Sequence, residues 1–264
     1  MSSPSLSHPP IIQTVFGIKW VKTLSPAQLL QLSERYKPSF PGQKKKFVFK
    51  LLLLPREAGQ KKKFEYKQSI NPDASAKLPP PLIRDMGFVL SSTDSKRSLL
   101  LLEDSLAFSI GGPYSDWDVA IDQFYKTISV ASDILNDLQV QGFFTRFVNL
   151  ITCEQPFSVE TYFKFNPFVP LGERKVRIRG LSTAYSLQSV TIPSLGATVR
   201  LFEKSISPIS VDFVCDIEIN KTLTMLCATL ISDKPRFEEI RSFKNDIFFG
   251  SFTDTLLDQF GIKR

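Results

Sequence analysis

The sequence predicts an α+β protein with two antiparallel-sheet halves, each backed by a long amphipathic helix. Three observations predict this class. Short apolar runs rich in β-branched residues are separated by turn residues, two long stretches repeat their apolar residues at helical spacing, and each of those stretches follows a group of strands. The predicted halves are residues 1–152 and residues 153–264, and they form one compact unit. Hydrophobic residues make up 42% of the chain, which is enough for a sizeable core.

The chain opens with a predicted strand and a predicted helix. The strand is the apolar run IIQTVFGIKW, which follows two prolines. In the next segment, SPAQLLQLSERY, Ser25 is a good N-cap and Pro26 suits the first helical position. Leu29, Leu32 and Tyr36 then recur at steps of three and four residues. This spacing predicts a helix of about three turns that ends before the following prolines.

The surplus positive charge is concentrated in residues 41–70. This stretch holds nine Lys or Arg and two acids, while the rest of the chain holds 24 of each sign, so the stretch accounts for the whole net charge of +7. Alternation of apolar and charged residues predicts a hairpin here, with Phe49 facing Tyr66 and the rings directed into the core. Two lysine triplets then lie at opposite ends of one β-ladder, about 25 Å apart. The candidate nucleic-acid or partner-binding residues of this hairpin are Lys44, Lys45, Lys46, Lys50, Lys61, Lys62, Lys63 and Lys67.

A second basic segment, GERKVRIRG, places Lys175, Arg177 and Arg179 on one strand face. It is the second candidate surface for nucleic acid or a partner, and a solvated sheet face is the alternative. The hairpin likewise has two interpretations, a binding surface or a strand pair with solvated ends. Its separated lysine patches weaken the first, because they do not form the continuous groove that a polynucleotide requires.

A strand meander, GFVLSS, RSLLLLED and SLAFSIGG, precedes the helix with the clearest apolar pattern. From Trp117 to Leu135 the apolar residues step by four, three, four, three and four, which predicts one unbroken helix with a buried stripe. Residues 116–137 carry five acids against one lysine, Lys126. This acidic surface suggests self-association, in which the helix meets a basic hairpin from another copy of the chain.

The remainder of the chain is predicted as five strands and a last helix. The first strand is VQGFFTRFVNLITC. The other strands are predicted at residues 174–192, 197–206, 210–219 and 223–232, and Pro235 opens the last helix.

Catalytic side chains are scarce. His8 is the only histidine, which disfavours Ser-His, Cys-His and His-metal chemistry, and no phosphate-binding or nucleophile-elbow glycine pattern occurs. Cys153, Cys215 and Cys227 are odd in number and widely spaced, which predicts buried free thiols in a reducing compartment. The sequence therefore favours a protein that is not an enzyme and needs no cofactor.

One carboxylate set has two interpretations. Asp212, Asp216 and Glu218 share a strand face because their spacing is even. They could hold Mg²⁺, or they could lie on an exposed strand face in ion pairs with nearby Lys or Arg side chains. The sequence does not decide whether they bind a metal. Arg146 and Asn149, three positions apart on their own strand, lie on opposite faces, and one of them is expected to be a buried structural hydrogen-bonding residue.

Four short segments carry a resemblance to a known family. The chain resembles a sporadically distributed family of uncharacterised bacterial proteins of about this length. The matching segments are Pro9-Pro10-Ile11-Ile12-Gln13, Pro113-Tyr114-Ser115-Asp116-Trp117, Arg146-Phe147-Val148-Asn149-Leu150-Ile151, and Phe248 with Phe252-Thr253-Asp254. Gln13 replaces the acid, and Arg241 stands near the histidine, that family members usually have. The resemblance implies that Pro113, Tyr114, Trp117, Arg146 and Asn149 form a structural family motif.

These observations give two functional hypotheses. The first is a cytoplasmic, non-enzymatic binding or interaction protein, for instance a partner subunit in a bacterial defence or toxin–antitoxin-like module, because the fold is well specified and catalytic groups are few. The alternative is a protein that binds or processes RNA through the basic hairpin. No stretch of about 18 apolar residues occurs and the N-terminus lacks a basic, apolar leader, so we expect neither a membrane span nor export.

Overall fold

The computed structural model describes residues 5–50, 82–112, 114, 116–154, 156, 158–164, 184–192 and 195–263. These residues form eleven strands and seven helices. The strands are β1 (Ser5–Leu6), β2 (Ile11–Trp20), β3 (Gly42–Lys50), β4 (Leu82–Ser91), β5 (Arg97–Leu102), β6 (Ser105–Gly111), β7 (Gln139–Glu154), β8 (Ala184–Ile192), β9 (Leu195–Ile206), β10 (Ser210–Leu226) and β11 (Ile262–Lys263). The helices are α1 (Pro26–Tyr36), α2 (Trp117–Ser129), α3 (Ser132–Leu135), α4 (Val159–Tyr162), α5 (Cys227–Asp233), α6 (Glu238–Ser251) and α7 (Asp254–Gln259).

Nine of the strands form a single antiparallel sheet in the order β3-β4-β5-β6-β2-β7-β10-β9-β8. The predicted α+β class is confirmed, since helices accompany one large antiparallel sheet. Strand β7 pairs with β10 from Gln139 to Glu154, so the sheet runs without interruption across the predicted boundary after residue 152. The division into two halves stays a prediction. The short strands β1 and β11 pair with each other and join the two ends of the chain.

Helix α1 shows how closely the local sequence specifies one element. The side chain of Ser25 accepts a hydrogen bond from the backbone N–H of Gln28, and the Gln28 side chain accepts one from the backbone N–H of Ser25. This reciprocal capping box satisfies two N–H groups that a helix start leaves without partners. The predicted N-cap, the proline at the first position and the buried stripe of Leu29, Leu32 and Tyr36 are all confirmed.

An aromatic core lies between the helices and one face of the sheet. The ring of Phe16 on β2 packs against Trp117 and Phe124 of α2, with centroid distances of 5.4 and 6.0 Å. The same ring contacts Phe143 and Phe147 of β7. Edge-to-face ring pairs of this kind stabilise a core beyond the area that they bury. The core thus fixes α2 over the strands at the centre of the sheet.

The long helix predicted from Trp117 to Leu135 is wrong in one respect, because it is interrupted. Helix α2 ends at Ser129 and α3 begins at Ser132. Near the break the hydroxyl of Thr127 donates to the carbonyl of Gln123, and that of Ser129 donates to Lys126. Such bonds from side chain to backbone compete with helix geometry, and an apolar stripe does not reveal them.

The strand predicted at residues 223–232 is also wrong over most of its length. Strand β10 continues to Leu226, and the following residues form the helix α5. The run LTMLCATLIS is mostly apolar and has neither a two-residue nor a four-residue period, so it fits a strand and a buried helix equally well. No helix in the described ranges is both long and apolar enough to cross a lipid bilayer.

Candidate functional site

A cavity of about 490 Å³ lies where the centre of the sheet meets the start of α2 and one side of α6. We call it the central cavity. Its floor is formed by Phe147 and Asn149 of β7 and Ile217 of β10. The volume is within the range of small-molecule sites, and such sites combine an apolar lining with a few polar groups.

The wall formed by α2 is held rigidly. The carboxylate of Asp116 accepts a hydrogen bond from the backbone N–H of Val119 at 2.7 Å, which caps the helix start. The indole N–H of Trp117 donates to the carbonyl of Arg236 at 2.8 Å, and its ring stacks on Phe147 at 6.2 Å between centroids. Both Asp116 and Trp117 line the cavity, so the capping geometry that starts α2 also positions this wall.

Asn149 contributes a buried amide to the floor and is only 1% exposed. Its Nδ2 donates to the carbonyl of Cys215 at 2.9 Å and to that of Phe147 at 3.3 Å. Its Oδ1 accepts no hydrogen bond from any residue that the structure describes. The prediction of one buried hydrogen-bonding residue in this strand is confirmed, with Asn149 in that role. Asn149 also lines the cavity, which the sequence did not indicate.

Two basic side chains of α6 face the cavity. The ammonium of Lys244 lies 5.0 Å from the ring centroid of Phe147 and 5.9 Å from that of Tyr114. Burial, followed by the nearby positive charge of Arg241, lowers the pKa of Lys244 from 10.5 to about 8. Burial likewise raises the pKa of Tyr114 above its ordinary value. The guanidinium of Arg241 lies 3.6 Å from Asp118 and 3.5 Å from Glu238.

The two ends of the chain border the same cavity. The backbone N–H groups of Ser7 and His8 donate to the carbonyls of Gly261 and Phe260, which extends the pairing of β1 with β11. The carbonyl of Pro10 accepts from Leu150 of β7 at 2.9 Å. These bonds hold Leu6, Pro9, Pro10 and Ile11 against the cavity opening, where they form its third wall.

The segments behind the family resemblance converge on this cavity. Each of the four contributes a described lining residue, namely Pro9 and Pro10, Tyr114 and Trp117, Phe147 and Asn149, and Phe248. Arg241, which stands near the expected histidine, lines it as well. Gln13 does not, since its Nε2 donates to the Ser109 hydroxyl at 2.8 Å. Pro113 lies outside the described residues. The resemblance itself stays a prediction.

The opposite face of the same strands carries an ion-pair network. Arg146 binds both carboxylate oxygens of Asp216, at 2.8 and 2.9 Å, and Arg200 lies 3.2 Å from Asp216 and from Glu218. Glu218 also accepts from the Nδ2 of Asn220 at 3.2 Å. The hydrogen bonds to Asp216 raise the pKa of Arg146 further above its ordinary value. The predicted placement of Arg146 and Asn149 on opposite faces is therefore confirmed.

This network decides between the two interpretations of the carboxylate set. Asp216 and Glu218 share a face, as predicted, but their oxygens are occupied by arginine. Asp212 accepts a hydrogen bond from the Thr152 hydroxyl at 2.8 Å. Among the described residues, no group of three or more His, Cys, Asp or Glu is arranged to hold a metal ion. The predicted pairing with basic side chains is confirmed for Asp216 and Glu218, but the predicted exposure is wrong for Asp216, which is 1% exposed.

The three cysteines are buried free thiols, as predicted. Burial raises the pKa of Cys153, Cys215 and Cys227 to about 12 each, and in the first two an adjacent aspartate adds to the effect. Thiols with such pKa values are poor nucleophiles at neutral pH. They serve as small apolar side chains in the core.

The basic candidates are only partly within the described residues. Lys44, Lys45, Lys46 and Lys50 lie on β3, whose described partner is β4, with Lys44 opposite Val89. Seven other candidates, Lys61, Lys62, Lys63, Lys67, Lys175, Arg177 and Arg179, lie outside the described residues. The hairpin pairing, the inward rings and the separation of the lysine triplets therefore stay predictions.

The acidic side of α2 and α3 is largely engaged within the chain. Arg236 lies 2.7 Å from Asp122 and 3.9 Å from Asp118, and Asp133 pairs with Arg35. These carboxylates are therefore less available to a basic hairpin of another copy than the sequence suggested. Self-association through this surface stays a prediction.

No protein-family model matches the chain, and no protein of curated function matches it. The proposals that follow accordingly rest on the geometry of the central cavity and of the sheet.

Proposed function

We propose that the protein is a non-enzymatic binding protein that holds a small molecule in the central cavity. The observation that carries this proposal is a cavity of about 490 Å³ with an aromatic floor and a few convergent polar groups. Its walls are fixed by a helix cap, a buried amide and a pairing of the chain ends, so the site is preformed. Preformed sites lose little conformational entropy on binding.

In the proposed two-half architecture this site lies between the halves. In each proposed half a run of strands is followed by a helix or helices: β6 precedes α2, and β10 precedes α5 and α6. The strands β6 and β10 flank the central pair β2 and β7, because the order at the centre is β6-β2-β7-β10. The cavity opens between α2 and α6, one from each half. A ligand would therefore bind at the junction of the halves.

Native mass spectrometry of the protein from its native host tests the proposal. We expect a discrete additional mass that is released when the protein is denatured. Replacement of the exposed cavity residue Ser242 by Trp should abolish this mass, because the indole fills the opening. Ser129→Trp, at the far end of α2, is the matched control and should retain it. If the native protein carries no extra mass and no small molecule shifts its melting temperature, the proposal is wrong.

The same preparation examines the expected protein partner. A partner subunit of a bacterial defence or toxin–antitoxin-like module would remain bound during gentle purification and appear as a second chain of fixed stoichiometry. Chromatography coupled to light scattering then separates this outcome from self-association. A single-chain mass at low salt would exclude both stable associations.

Nucleic-acid binding is the second candidate, and one observation favours it. Three consecutive lysines, Lys44 to Lys46, lie on β3, the last strand at one side of the described sheet. Backbone phosphates would supply their binding partners, and such binding weakens steeply with salt. We expect RNA affinity to fall at least tenfold from about 50 to 200 mM salt. Reversal of the three charges to Glu should remove the salt dependence. A weak, salt-independent signal would eliminate this candidate.

A further inference from the structure

We propose that the ligand of the central cavity is a small organic acid with a single negative charge, bound with its carboxylate at Lys244 and its carbon skeleton against the partly exposed rings of Tyr114 and Phe249. This inference rests on the proposed binding function and specifies the class of ligand. It is carried by the contacts of one ammonium group and by the charges around it.

Lys244 is the cation of this site that lacks an anionic partner. In the described part of the chain, no carboxylate oxygen lies within the 4.0 Å of its ammonium that defines an ion pair. Its nearest recorded partners are two ring faces, those of Phe147 and Tyr114. Ring faces attract an ammonium but do not neutralise it, and a partly buried charge is unfavourable until an anion is close. A carboxylate in the cavity would meet that requirement.

The neighbouring charges favour a single negative charge on the ligand. Arg241 is the other cation that lines the cavity, and it is already balanced by Asp118 at 3.6 Å and Glu238 at 3.5 Å. Asp116 also lines the cavity and is engaged as the cap of α2. The described lining thus holds two cations and two carboxylates, and Lys244 is the cation among them that makes no ion pair. A dianion such as a phosphate monoester would bring a second negative charge close to Asp116 and Glu238, which repel it.

The rest of the lining specifies an apolar or aromatic skeleton. The indole of Trp117 and the ring of Phe147 are 2% and 0% exposed, so they form the closed base below the Lys244 ammonium. Several apolar lining residues keep accessible surface, namely Leu6, Pro9, Pro10, Tyr114 and Phe249. A flat, apolar group beside a carboxylate can therefore bury its surface while the charged end reaches the lysine. Burial of an ammonium group without a counter-ion lowers its pKa, and the pKa of Lys244 is lowered to about 8.

Isothermal titration calorimetry of the full chain at pH 7 tests the proposal with four probes of similar size. Phenylacetate is the monoanion, phenyl phosphate the dianion, benzyl alcohol the neutral probe and phenethylamine the cation. We expect phenylacetate to bind at least tenfold more tightly than each of the other three. Lys244→Met should weaken phenylacetate at least tenfold and leave benzyl alcohol unchanged or tighter. Lys126→Met, an exposed position on α2, is the matched control and should change neither affinity.

The pH profile of phenylacetate binding provides a second readout. The other titratable groups at the cavity are Tyr114, Asp116, Glu238 and Arg241. Only Lys244 has a pKa shifted to about 8, so affinity should fall as the pH rises above that value. The fall should be absent in Lys244→Met. Equal affinity for phenylacetate and benzyl alcohol, both lost in Ser242→Trp, would overturn the anion proposal and leave the binding function intact. Binding of none of the probes, with no bound mass on the native protein, would overturn both.

Discussion

The two faces of β7 and β10 differ in whether their charged side chains form ion pairs. On one face the buried carboxylate of Asp216 is bound by Arg146 and Arg200, so each charge in the pairing has a partner. On the other face the ammonium of Lys244 rests on two aromatic rings, with no carboxylate of the described chain within ion-pair distance. Residues only one position apart, such as Arg146 and Phe147, belong to these different environments.

Under the proposed binding function, one face is completed by the protein itself and the other by the ligand. A buried charge that is paired and hydrogen-bonded fixes the geometry of its strands, and it needs nothing further. A partly buried charge without a counter-ion costs stability, and ligand-binding sites retain such costs because the ligand removes them. Substitution of Asp216 on the paired face should therefore lower the free energy of unfolding, and substitution of Lys244 on the other face should raise it.

The largest effect is expected on the paired face. Asp216→Ala removes a carboxylate that is 1% exposed, leaves Arg146 without its two-pronged partner and leaves Arg200 with Glu218 alone. We expect a loss of about 2–3 kcal/mol in the free energy of unfolding, because three hydrogen bonds to a charged group are lost and water restores only part of them at the partly exposed arginines. Urea denaturation measures this loss. Thr152→Ala, at an exposed position on the same face, should change stability by less than about 0.5 kcal/mol. Equal effects of the two substitutions would contradict the structural role of the network.

An intermediate effect is expected at the cavity floor. Asn149→Leu keeps a side chain that branches at Cγ, is somewhat larger, and removes the hydrogen bonds from Nδ2 to the carbonyls of Cys215 and Phe147. We expect a loss of about 1–2 kcal/mol, because these buried carbonyls lose a donor and gain no other. The measurement is again urea denaturation. Asn149→Asp should be worse than Asn149→Leu at neutral pH, since a carboxylate cannot donate to either carbonyl. If Asn149→Leu were as stable as wild type, Asn149 would serve the ligand rather than the fold.

A smaller effect of opposite sign is expected at Lys244. Lys244→Met keeps the apolar stem over Phe147 and Tyr114 and removes the unpaired charge. We expect the free protein to gain roughly 1 kcal/mol at pH 7, a modest value because the side chain is only partly buried. Thermal denaturation should show the gain, and Lys126→Met should show none. A loss of stability in Lys244→Met would mean that the ammonium has an anionic partner within the chain.

Much of the fold was predictable from local signals in the sequence. Helix α1 followed from Ser25, Pro26 and the spacing of its leucines, and β7 followed from an apolar run of about the right length. Strand β10 was predicted only over residues 210–219, although it continues to Leu226. The break after Ser129 and the helix at Cys227 were missed, because they depend on hydroxyl-to-backbone bonds and on tertiary burial rather than on periodicity. The order of the nine strands could not be predicted from the sequence either, since alternation does not specify which strands pair.

The candidate site was predictable in part. Tyr114, Trp117 and Asn149 had been selected by the resemblance, although only as a structural motif. Lys244 was missed, and yet the sequence carried a signal for it. Ile240, Lys244 and Phe248 step by four along α6, so the lysine occupies a position in the apolar stripe of that helix. A single charged residue in such a stripe is a reason to look for a site. The missing information was which strand and which helix N-terminus the stripe faces.

The smallest expected effect is the pH dependence of the difference in unfolding free energy between Lys244→Met and the wild type. In the unfolded chain Lys244 keeps its proton until about pH 10.5, whereas in the folded protein it releases the proton near pH 8. Between these values the unfolded state binds more protons, so wild-type stability rises with pH relative to the variant. The stability advantage of Lys244→Met should therefore be full below pH 8 and shrink toward pH 10.5.

Asp116, Glu238 and Arg241 are common to both proteins and cancel in the difference, and the pKa of Tyr114 is raised out of this window. A constant advantage across the window would show that the ammonium is not desolvated in the free protein. Saturating phenylacetate should abolish the advantage at pH 7, because the bound carboxylate supplies the charge that the chain itself does not place there.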